Sequence, residues 1–332
     1  MADYSGSYNY LNTLQTIVRE GFVTKAIIDT FFTSQRLFQE LRDLTDTQNG
    51  ALALTWPYNI GKSSNTVAFA GGQALPANSL DTFIRASLPW KYYADALALN
   101  VTDLQQADSP EAIASLVDSQ LDIVKMSIAD RLAGDIITST QATFPLQVNG
   151  MAEAIDDGTV ATTYGGISRT TYPTTKGTTS YGLTLGSTTV NDLYALTLKA
   201  SQDGHRPNFF ATTRLVFAQL QNTLMSIDRY IQPEMARTTG GYDVIFNGSP
   251  VIWDPHIPTG AVSPATGTGT GGYFYALNKA TIKYVVDPKM NFHVGDWLIS
   301  TTTAQVITRI LHASNLVVLR PPSNGVAWLS GG

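Results

Sequence analysis

The longest periodic stretch of the sequence is SPEAIASLVDSQLDIVKMSIADRLAGDII, which covers residues 109–137. Ser109 is a good N-cap, and Pro110 fits the first helical position because its missing N–H would have no partner there. Apolar residues then recur at steps of four and three, as on one face of a helix. These residues are Ile113, Val117, Leu121, Val124, Ile128 and Leu132. We predict a helix about 40 Å long from the rise of about 1.5 Å per residue.

The segment before this helix, residues 51–104, has the pattern of extended strands. Larger apolar residues alternate with smaller ones along 52–58, and the turn-rich run NIGKSSN follows at 59–65. A second extended stretch returns along 82–101. An isolated two-stranded hairpin is marginally stable in water. We therefore predict a long two-stranded excursion with a polar tip, and we expect it to lie on a neighbour.

Residues 1–50 mix polar residues with one amphipathic stretch. Apolar residues such as Phe31 and Phe38 are spaced for a helix that is broken near residue 33. The apolar face is large, but the segment is short. We expect an arm that docks on another surface rather than a domain.

The rest of the sequence alternates predicted helices with predicted strands. Asn247-Gly248 is the strongest short turn signal, and it separates two runs that we predict to form a hairpin, 242–246 and 250–253. Further helices are predicted at 187–204 and 215–224, and further strands at 209–212, 273–286, 297–300, 305–312, 316–319 and 326–329. A long helix beside antiparallel strands makes the predicted fold class α+β.

The composition excludes several classes of protein. Charged residues make up 14% of the 332 residues, against about 25% in an ordinary soluble domain, which excludes a charge-rich disordered tail or a coiled coil. The net charge of −5 argues against a dedicated nucleic-acid binder, which needs clustered Lys and Arg. Cysteine is absent, so disulfides, thiolate zinc sites and cysteine nucleophiles are excluded. Because interface cores are depleted of charge, the low charge favours a protein with many partner contacts.

The sequence shows no targeting or membrane segment. The first 30 residues lack a basic start followed by an apolar core, so no signal peptide is predicted. No run of about 18 apolar residues is present, so no membrane span is predicted.

Short motifs do not converge on an enzyme site. The run GKS at 61–63 resembles the end of a phosphate-binding loop, but Trp56 stands where that loop needs glycine, and a strand rather than a helix is predicted to follow. We interpret this run as a hairpin tip. The run DDG at 156–158 lacks the alternating acidic residues of a calcium loop, so we interpret it as a loop pair rather than a cation site.

The four histidines are the remaining candidates for catalysis or metal binding. His205 lies in a turn after a predicted helix, and His256 follows Asp254-Pro255. Neither has a second histidine at metal-ligand spacing. We predict no catalytic, cofactor-binding or metal-binding residue, and the projecting segments favour a non-enzymatic protein that assembles with others.

The order of the segments resembles that of the major capsid protein of tailed bacteriophages, which has the HK97-like fold. The arm, the extended loop and the long spine helix follow one another as in that family. The run GGISRTTYP at 165–173 is similar to a segment that recurs in one branch of phage capsid proteins. The helix–strand–helix block at 187–227 resembles the axial domain. The run NLVVLRPP at 315–322 is similar to the strand that returns the chain to that domain.

The resemblance covers nearly the whole chain and implies a division into four parts. These are the N-terminal arm at 1–50, the extended β-hairpin loop (E-loop) at 51–104, the peripheral domain at 105–186 and 290–320 with the spine helix at 109–137, and the axial domain at 187–289 and 321–332.

The resemblance also implies a function. Such a subunit self-assembles into hexamers and pentamers of an icosahedral shell in the host cytoplasm. The shell encloses double-stranded DNA without sequence specificity and needs no membrane. A portal protein and a decoration protein are further candidate partners, and because the arm begins at Met1, a separate scaffolding protein is expected. Inter-subunit contacts are expected from aromatic residues and one lysine: Phe31, Phe38, Trp56, Tyr58, Lys62 and Phe69.

Two other functions and one covalent feature stay open. An encapsulin, a cellular nanocompartment with the same fold, would hold a cargo enzyme instead of DNA. A soluble hydrolase would use His205 or His256. Some relatives also join subunits by a Lys–Asn isopeptide bond aided by a buried Glu. Lys62 could supply the amine and Asn315 or Asn324 the amide, although no Glu is near either asparagine in sequence.

Overall fold

The computed structural model describes most of the chain, in two compact units. The described residues are 36–48, 52–78, 82–100, 102, 110–186, 189–202, 204–231, 244–260, 271–299 and 303–330. Of these residues, the first unit comprises those within 92–131 and 289–313, and the second comprises the others. The prediction for Phe31 and the rest of the arm before residue 36 lies outside the described residues.

The described residues form α-helices and β-strands in the following order. The helices are α1 (Arg36–Arg42), α2 (Pro110–Thr138), α3 (Met151–Ala154), α4 (Thr189–Ala200) and α5 (Arg214–Ile231). The strands are β1 (Thr45–Thr47), β2 (Ala53–Asn59), β3 (Phe83–Pro89), β4 (Lys91–Asn100), β5 (Thr163–Tyr164), β6 (Ile167–Ser168), β7 (Thr178–Thr184), β8 (Phe209–Thr212), β9 (Val244–Phe246), β10 (Ser249–Trp253), β11 (Gly271–Leu277), β12 (Ile282–Val286), β13 (His293–Val294), β14 (Leu298–Ile299), β15 (Gln305–Val318) and β16 (Gly325–Ser330). This mixture confirms the α+β class.

The predicted long helix is confirmed as α2, within one residue of the predicted bounds. Its apolar positions become more buried toward the C-terminal end, where Val124 and Ile128 are buried and Leu132 is fully buried. Asp118 and Asp122 are exposed. The spacing of apolar residues therefore predicted the helix and three of the residues that it buries, whereas Val117 and Leu121 are only half-buried.

The core of the second unit lies against a six-stranded mixed sheet with the strand order β7-β16-β11-β8-β10-β9. β16 is parallel to β7 and antiparallel to β11, so it is an inner strand. The rings of Phe210, Phe246 and Phe274 meet at centroid distances of 5.3 to 5.9 Å, within the range for favourable aromatic pairs. Buried residues of the two helices that cover this cluster are Leu193, Leu196, Val216 and Leu220.

The predicted hairpin at Asn247-Gly248 is confirmed by the antiparallel pairing of β9 with β10. Asn247 has φ 52° and Gly248 has φ 78°. Two consecutive residues with positive φ are what a two-residue type I′ turn requires, which explains the Asn-Gly pair.

The second sheet contains β15, where the sequence prediction was wrong in one respect. We predicted two strands, at 305–312 and 316–319, but a single strand spans both. Ser314 and Asn315 at the junction are polar yet fully buried. They stay in the strand because their side chains are hydrogen-bonded, as when Tyr284 Oη donates to Ser314 Oγ at 2.8 Å. Within the second unit, β12 pairs with the C-terminal part of β15 and, in parallel, with β1.

Two helix boundaries also differ from the prediction. Helix α5 continues to Ile231, beyond the predicted end at 224. Helix α4 ends at Ala200 rather than at 204, because Gln202 and His205 exchange backbone hydrogen bonds of 2.9 and 3.1 Å in a turn. The division into peripheral and axial domains stays a prediction.

Candidate inter-subunit surfaces

The predicted excursion contains a regular hairpin formed by β2 and β3. The two strands are antiparallel, with Ala53 opposite Pro89 and Asn59 opposite Phe83. Beyond the last pair, the Ile60 N–H donates to the Thr82 carbonyl oxygen at 2.8 Å. The hairpin base is therefore paired without a break in register. Residues 61–78, which we call the tip, contain no helix or strand.

The hairpin base contacts its own chain, at the GGISRTTYP segment and the two residues that flank it. The Ser87 N–H donates to the Gly165 carbonyl oxygen at 2.9 Å, and the Tyr58 hydroxyl donates to the Thr174 carbonyl oxygen at 3.1 Å. The Trp56 ring lies 6.2 Å from the Tyr164 ring. The expectation that the hairpin lies on a neighbour thus needs correction for its base, because an intramolecular surface supports these strands. We call residues 164–174 the seat.

Gly165, near the start of the seat, occupies a position that favours glycine for two reasons. Its φ is +59°, a left-handed conformation that favours glycine. A Cβ atom at this position would lie 3.2 Å from both the Ala86 Cβ and the Trp56 ring. Gly166 also has a positive φ, +79°, but open space surrounds it. The Gly-Gly pair is the sequence signal for this close approach, and its partner across the chain could not be read from the sequence.

Asp156 organises the turn that precedes the seat. Its Oδ2 accepts N–H groups from Gly158, Val160 and Ala161 at 2.8 to 3.0 Å, and the residue is fully buried. A carboxylate with three backbone donors is fully occupied by its own loop. This arrangement supports the loop interpretation of 156–158. No group of three acidic or histidine residues suited to a metal ion occurs in the described part of the chain.

Arg169 ties the seat to this turn. The residue is fully buried, and its guanidinium donates to the carbonyl oxygens of Glu153, Ala154 and Ala161, each at 2.9 Å. Burial lowers the pKa of Arg169, whereas Asp156, whose Oδ2 lies 3.6 Å from Nη1, opposes that effect. Three donors of the guanidinium are thus satisfied, whereas the buried Nε–H has no hydrogen-bond partner. A buried cation with charge compensation and three backbone acceptors fixes its surroundings. The sequence contained no signal that this arginine of the SRTT run would be internal.

The tip is exposed and carries several apolar side chains. Phe69 is 64% exposed, and Val67 and Leu75 are also exposed. The tip is closed by Asn65 and Asn78, because Asn65 Nδ2 donates to the Asn78 carbonyl oxygen at 2.8 Å and Asn78 N donates to Asn65 Oδ1 at 3.1 Å. Exposed apolar residues on one projecting loop are characteristic of an interaction surface.

The six predicted contact residues therefore have different environments. Lys62 and Phe69 are exposed in the tip. Trp56 and Tyr58 are half-buried against the seat. Phe38 is 3% exposed, and its ring packs edge-on against Tyr284 at a centroid distance of 5.6 Å. Phe38 thus contributes to the core of its own subunit.

The two asparagines considered for a cross-link with Lys62 are internal. Asn315 and Asn324 are both fully buried. Asn315 Nδ2 donates to the Pro89 carbonyl oxygen at 2.8 Å and to Asn149 Oδ1 at 2.9 Å. Asn324 Oδ1 accepts the Asn278 N–H at 2.7 Å. Both amides are engaged within the subunit, which argues against a cross-link from a neighbour's lysine at either position.

His256 takes part in a structural contact. Its Nδ1 and its backbone N both lie 2.9 Å from Asp254 Oδ1, and Asp254 Oδ2 accepts the Leu37 N–H at 2.9 Å. The buried carboxylate thus joins the start of α1 to the turn after β10.

The run GKS at 61–63 lies in the exposed tip with no helix after it, as expected for a hairpin tip. In the described segments, no helix is both long and apolar enough to cross a membrane.

Comparisons with known proteins agree with this arrangement. A sequence profile of the phage capsid family matches residues 20–321. The fold is similar to that of the cyanophage A-1(L) capsid asymmetric unit, with a TM-score of 0.64, 13% identity and coverage of 93% of this chain and 96% of that chain. It is also similar to the capsid of a native GTA particle, with a TM-score of 0.60, 12% identity and coverage of 95% and 98%.

An encapsulin has a similar fold. The holo-SrpI encapsulin complex from Synechococcus elongatus PCC 7942 matches with a TM-score of 0.57 and 11% identity, over 98% of this chain and 95% of that chain. Comparison with curated protein sequences gave no significant match. The structural likenesses establish the fold, and the sequence profile establishes the family over most of the chain. The resemblance inferred from the order of segments is confirmed: the chain belongs to the phage capsid family, as a major capsid protein with the HK97-like fold.

Proposed function

We propose that this capsid subunit self-assembles into hexamers and pentamers of an icosahedral shell that encloses double-stranded DNA in the virion. The observation that carries the proposal is the tip, where Phe69, Val67 and Leu75 are exposed. Burying one large apolar side chain such as Phe69 against a neighbour would contribute about 1.5–3 kcal/mol. In the free subunit these side chains face water, so this stabilisation is gained only on contact with a neighbour.

The contrast between base and tip supports a bridging role for the hairpin. The base is held by the seat, so the tip is presented from a fixed support. Head-to-tail contacts of this kind close into rings under cyclic symmetry. Each contact can be weak, because many are made at once around a ring. We propose Lys62 and Phe69 as direct inter-subunit contacts, Trp56 and Tyr58 as contacts through their half-exposed faces, and Phe31 as a contact of the arm.

The charge of the chain supports loose retention of the nucleic acid. A net charge of −5 gives little general attraction to phosphate groups. A shell of such subunits would enclose DNA without sequence specificity and would bind it only weakly. We propose assembly in the host cytoplasm, with a separate scaffolding protein, a portal protein and a decoration protein as partners.

Replacing the tip tests the proposal directly. Because Ile60 and Thr82 are joined by a backbone hydrogen bond, residues 61–81 can be replaced by Asn-Gly, which favours a two-residue hairpin turn. We expect the parent chain, with scaffold or a crowding agent, to form closed particles in negative-stain electron microscopy. The shortened chain should give the same circular dichroism spectrum but no closed particles. Normal shells from the shortened chain would refute the bridging role.

An encapsulin-type compartment is the second candidate function, because an encapsulin is among the structural neighbours. The two functions differ in what the shell contains. Particles purified from expressing cells should be treated with nuclease, opened and analysed by absorbance and gel electrophoresis. Protected DNA supports the viral shell, whereas one abundant protein species without DNA supports the compartment.

A further inference from the structure

The corner between β3 and β4 holds a buried lysine that none of the proposed contacts uses. Lys91 is 6% exposed. Its Nζ donates to Gln141 Oε1 at 2.5 Å and to the Pro145 carbonyl oxygen. Both acceptors are neutral, and a buried ammonium gains less from neutral carbonyl groups than from a carboxylate. Burial lowers the pKa of Lys91, although the negative charge of Glu153 acts in the opposite direction. The fraction of neutral amine, which is the nucleophilic form, is thereby higher than for an exposed lysine at the same pH.

The carboxamide that faces this amine is held at both ends. Gln141 Nε2 donates to the Gln147 carbonyl oxygen at 3.1 Å. The backbone N–H of Gln141 donates to Glu153 Oε2 at 2.7 Å. Glu153 is itself buried, and its Oε1 lies 3.4 Å from Asn149 Nδ2. The amide therefore cannot swing freely away from the lysine.

The amine is close to the carbon that it would attack. The amide oxygen is about 1.23 Å from its carbon, so Lys91 Nζ lies within about 3.7 Å of Gln141 Cδ. Reacting atoms in a near-attack arrangement are about 3–3.5 Å apart. A small rotation of the Gln141 side chain would place Cδ in that range.

We propose that Lys91 and Gln141 form an isopeptide bond within the chain. The amine of Lys91 attacks Gln141 Cδ, a Nζ–Cδ bond forms, and the Cδ–Nε2 bond breaks. One proton of Nζ passes to the departing nitrogen, which leaves as ammonia. The reaction exchanges one amide for another and needs no oxidant, metal or cofactor. Glu153 acts as a positioning residue, because it holds the backbone of Gln141.

Such a bond would be independent of contacts between subunits. It would connect the start of β4, at residue 91, to the loop after α2, at residue 141. The two residues are 50 positions apart in the sequence. Neither residue belongs to the tip, so the bond would form in the free subunit and would not depend on shell assembly.

Mass spectrometry of the full chain tests the proposal. After incubation of the folded protein at pH 8 for one week, we expect an intact mass lower than that of the sequence by one ammonia, about 17 Da. Trypsin should then yield peptide 86–125 joined to peptide 132–169, because a modified Lys91 is no longer cleaved. The variants Gln141→Glu and Lys91→Arg should give separate peptides, and circular dichroism confirms that they fold. The full sequence mass, together with a peptide ending at Lys91 in the folded parent, would overturn the proposal.

Two further measurements separate this bond from other chemistry. Succinimide formation at an Asn-Gly pair, such as Asn149-Gly150, loses the same mass but joins no peptides. Mild alkali adds water to the ring and gives aspartate or isoaspartate, so the mass loss disappears, whereas an isopeptide bond survives. A mass loss with no joined peptide would therefore contradict the proposal. Glu153→Gln should slow bond formation at least about tenfold, because the charged acceptor of the Gln141 N–H is lost. It should also shift the pH profile of the rate to lower pH, because the negative charge that raises the pKa of Lys91 is removed. A merely structural role for Glu153 would leave that pH profile unchanged.

Discussion

The base and the tip of one hairpin differ in what holds them. The base is paired strand to strand and rests on the seat. There the Ala86 Cβ and the Trp56 ring lie 3.2 Å from the position that a Cβ atom on Gly165 would occupy. The tip has no such support and exposes Phe69. Residues that determine the stability of the subunit are thus separated from residues offered to a neighbour. Substitutions at the base should mainly lower the free energy of unfolding. Substitutions at the tip should mainly impair assembly.

The largest expected effect on folding is at Arg169, below the hairpin base. Arg169→Met leaves three carbonyl oxygens and the Asp156 carboxylate without their buried cation. We expect the free energy of unfolding to fall by about 3–5 kcal/mol. Urea denaturation followed by circular dichroism measures this loss. Lys62→Met in the exposed tip is the matched control, and an equal loss from both variants would contradict the assignment.

A smaller effect is expected at the seat itself, where two neighbouring glycines provide a control. Gly166→Ala should cost about 1 kcal/mol, from backbone conformation alone, because its surroundings are open. Gly165→Ala adds contacts with Ala86 and Trp56 and should cost about 2–3 kcal/mol. Thermal and urea unfolding of both variants give the difference. Equal costs at the two glycines would mean that contacts with Ala86 and Trp56 add nothing to the cost at Gly165.

Tyr58→Phe should have a smaller effect again. The variant keeps the ring but loses the hydrogen bond to the Thr174 carbonyl oxygen. Because this bond is exposed to water, we expect a loss at the low end of the usual range, about 0.5–1 kcal/mol. Urea unfolding measures it, with Tyr92→Phe as the control on an exposed tyrosine. If the free energy of unfolding fell more than for Gly165→Ala, the hydrogen bond of Tyr58 would matter more than the close approach at Gly165, contrary to the proposed order.

The smallest effect on folding, and the largest on assembly, is expected at the tip. Phe69→Ser should change the free energy of unfolding by less than about 0.5 kcal/mol. The concentration needed for assembly should rise about tenfold or more, since an apolar contact is lost at each interface. Light scattering against protein concentration measures this rise, with Thr66→Ser as the control. An unchanged assembly threshold would remove Phe69 from the interface.

The parts of the fold that were predicted are those with local signals. Apolar spacing specified α2, and the Asn-Gly pair specified the β9–β10 turn, because each depends on residues close in sequence. The seat depends on contacts between Trp56 and Gly165, more than a hundred positions apart, which periodicity cannot reveal. The single strand β15 was missed for a related reason. Asn315 is tolerated inside it because its side-chain N–H donates a hydrogen bond to Asn149 Oδ1, and Asn149 is distant in sequence.

The contact residues were predicted by type and location, and this explains why their environments differ within the subunit. Aromatic side chains serve both cores and interfaces. Sequence alone therefore could not distinguish Phe38, which is internal, from Phe69, which is exposed. Exposure depends on the tertiary neighbours of each ring, and only the structure supplies those.

The position of β16 has a consequence for the timing of biosynthesis. This strand occupies an inner place in the six-stranded sheet, between β7 and β11, although it comes after both in the chain. While the ribosome is still translating the preceding codons, β7 and β11 lack their common partner and leave backbone groups unpaired. Such edges are prone to aggregate during synthesis. The nascent chain therefore completes this sheet only after residue 330 has emerged, which delays the competent subunit until translation of this region is finished.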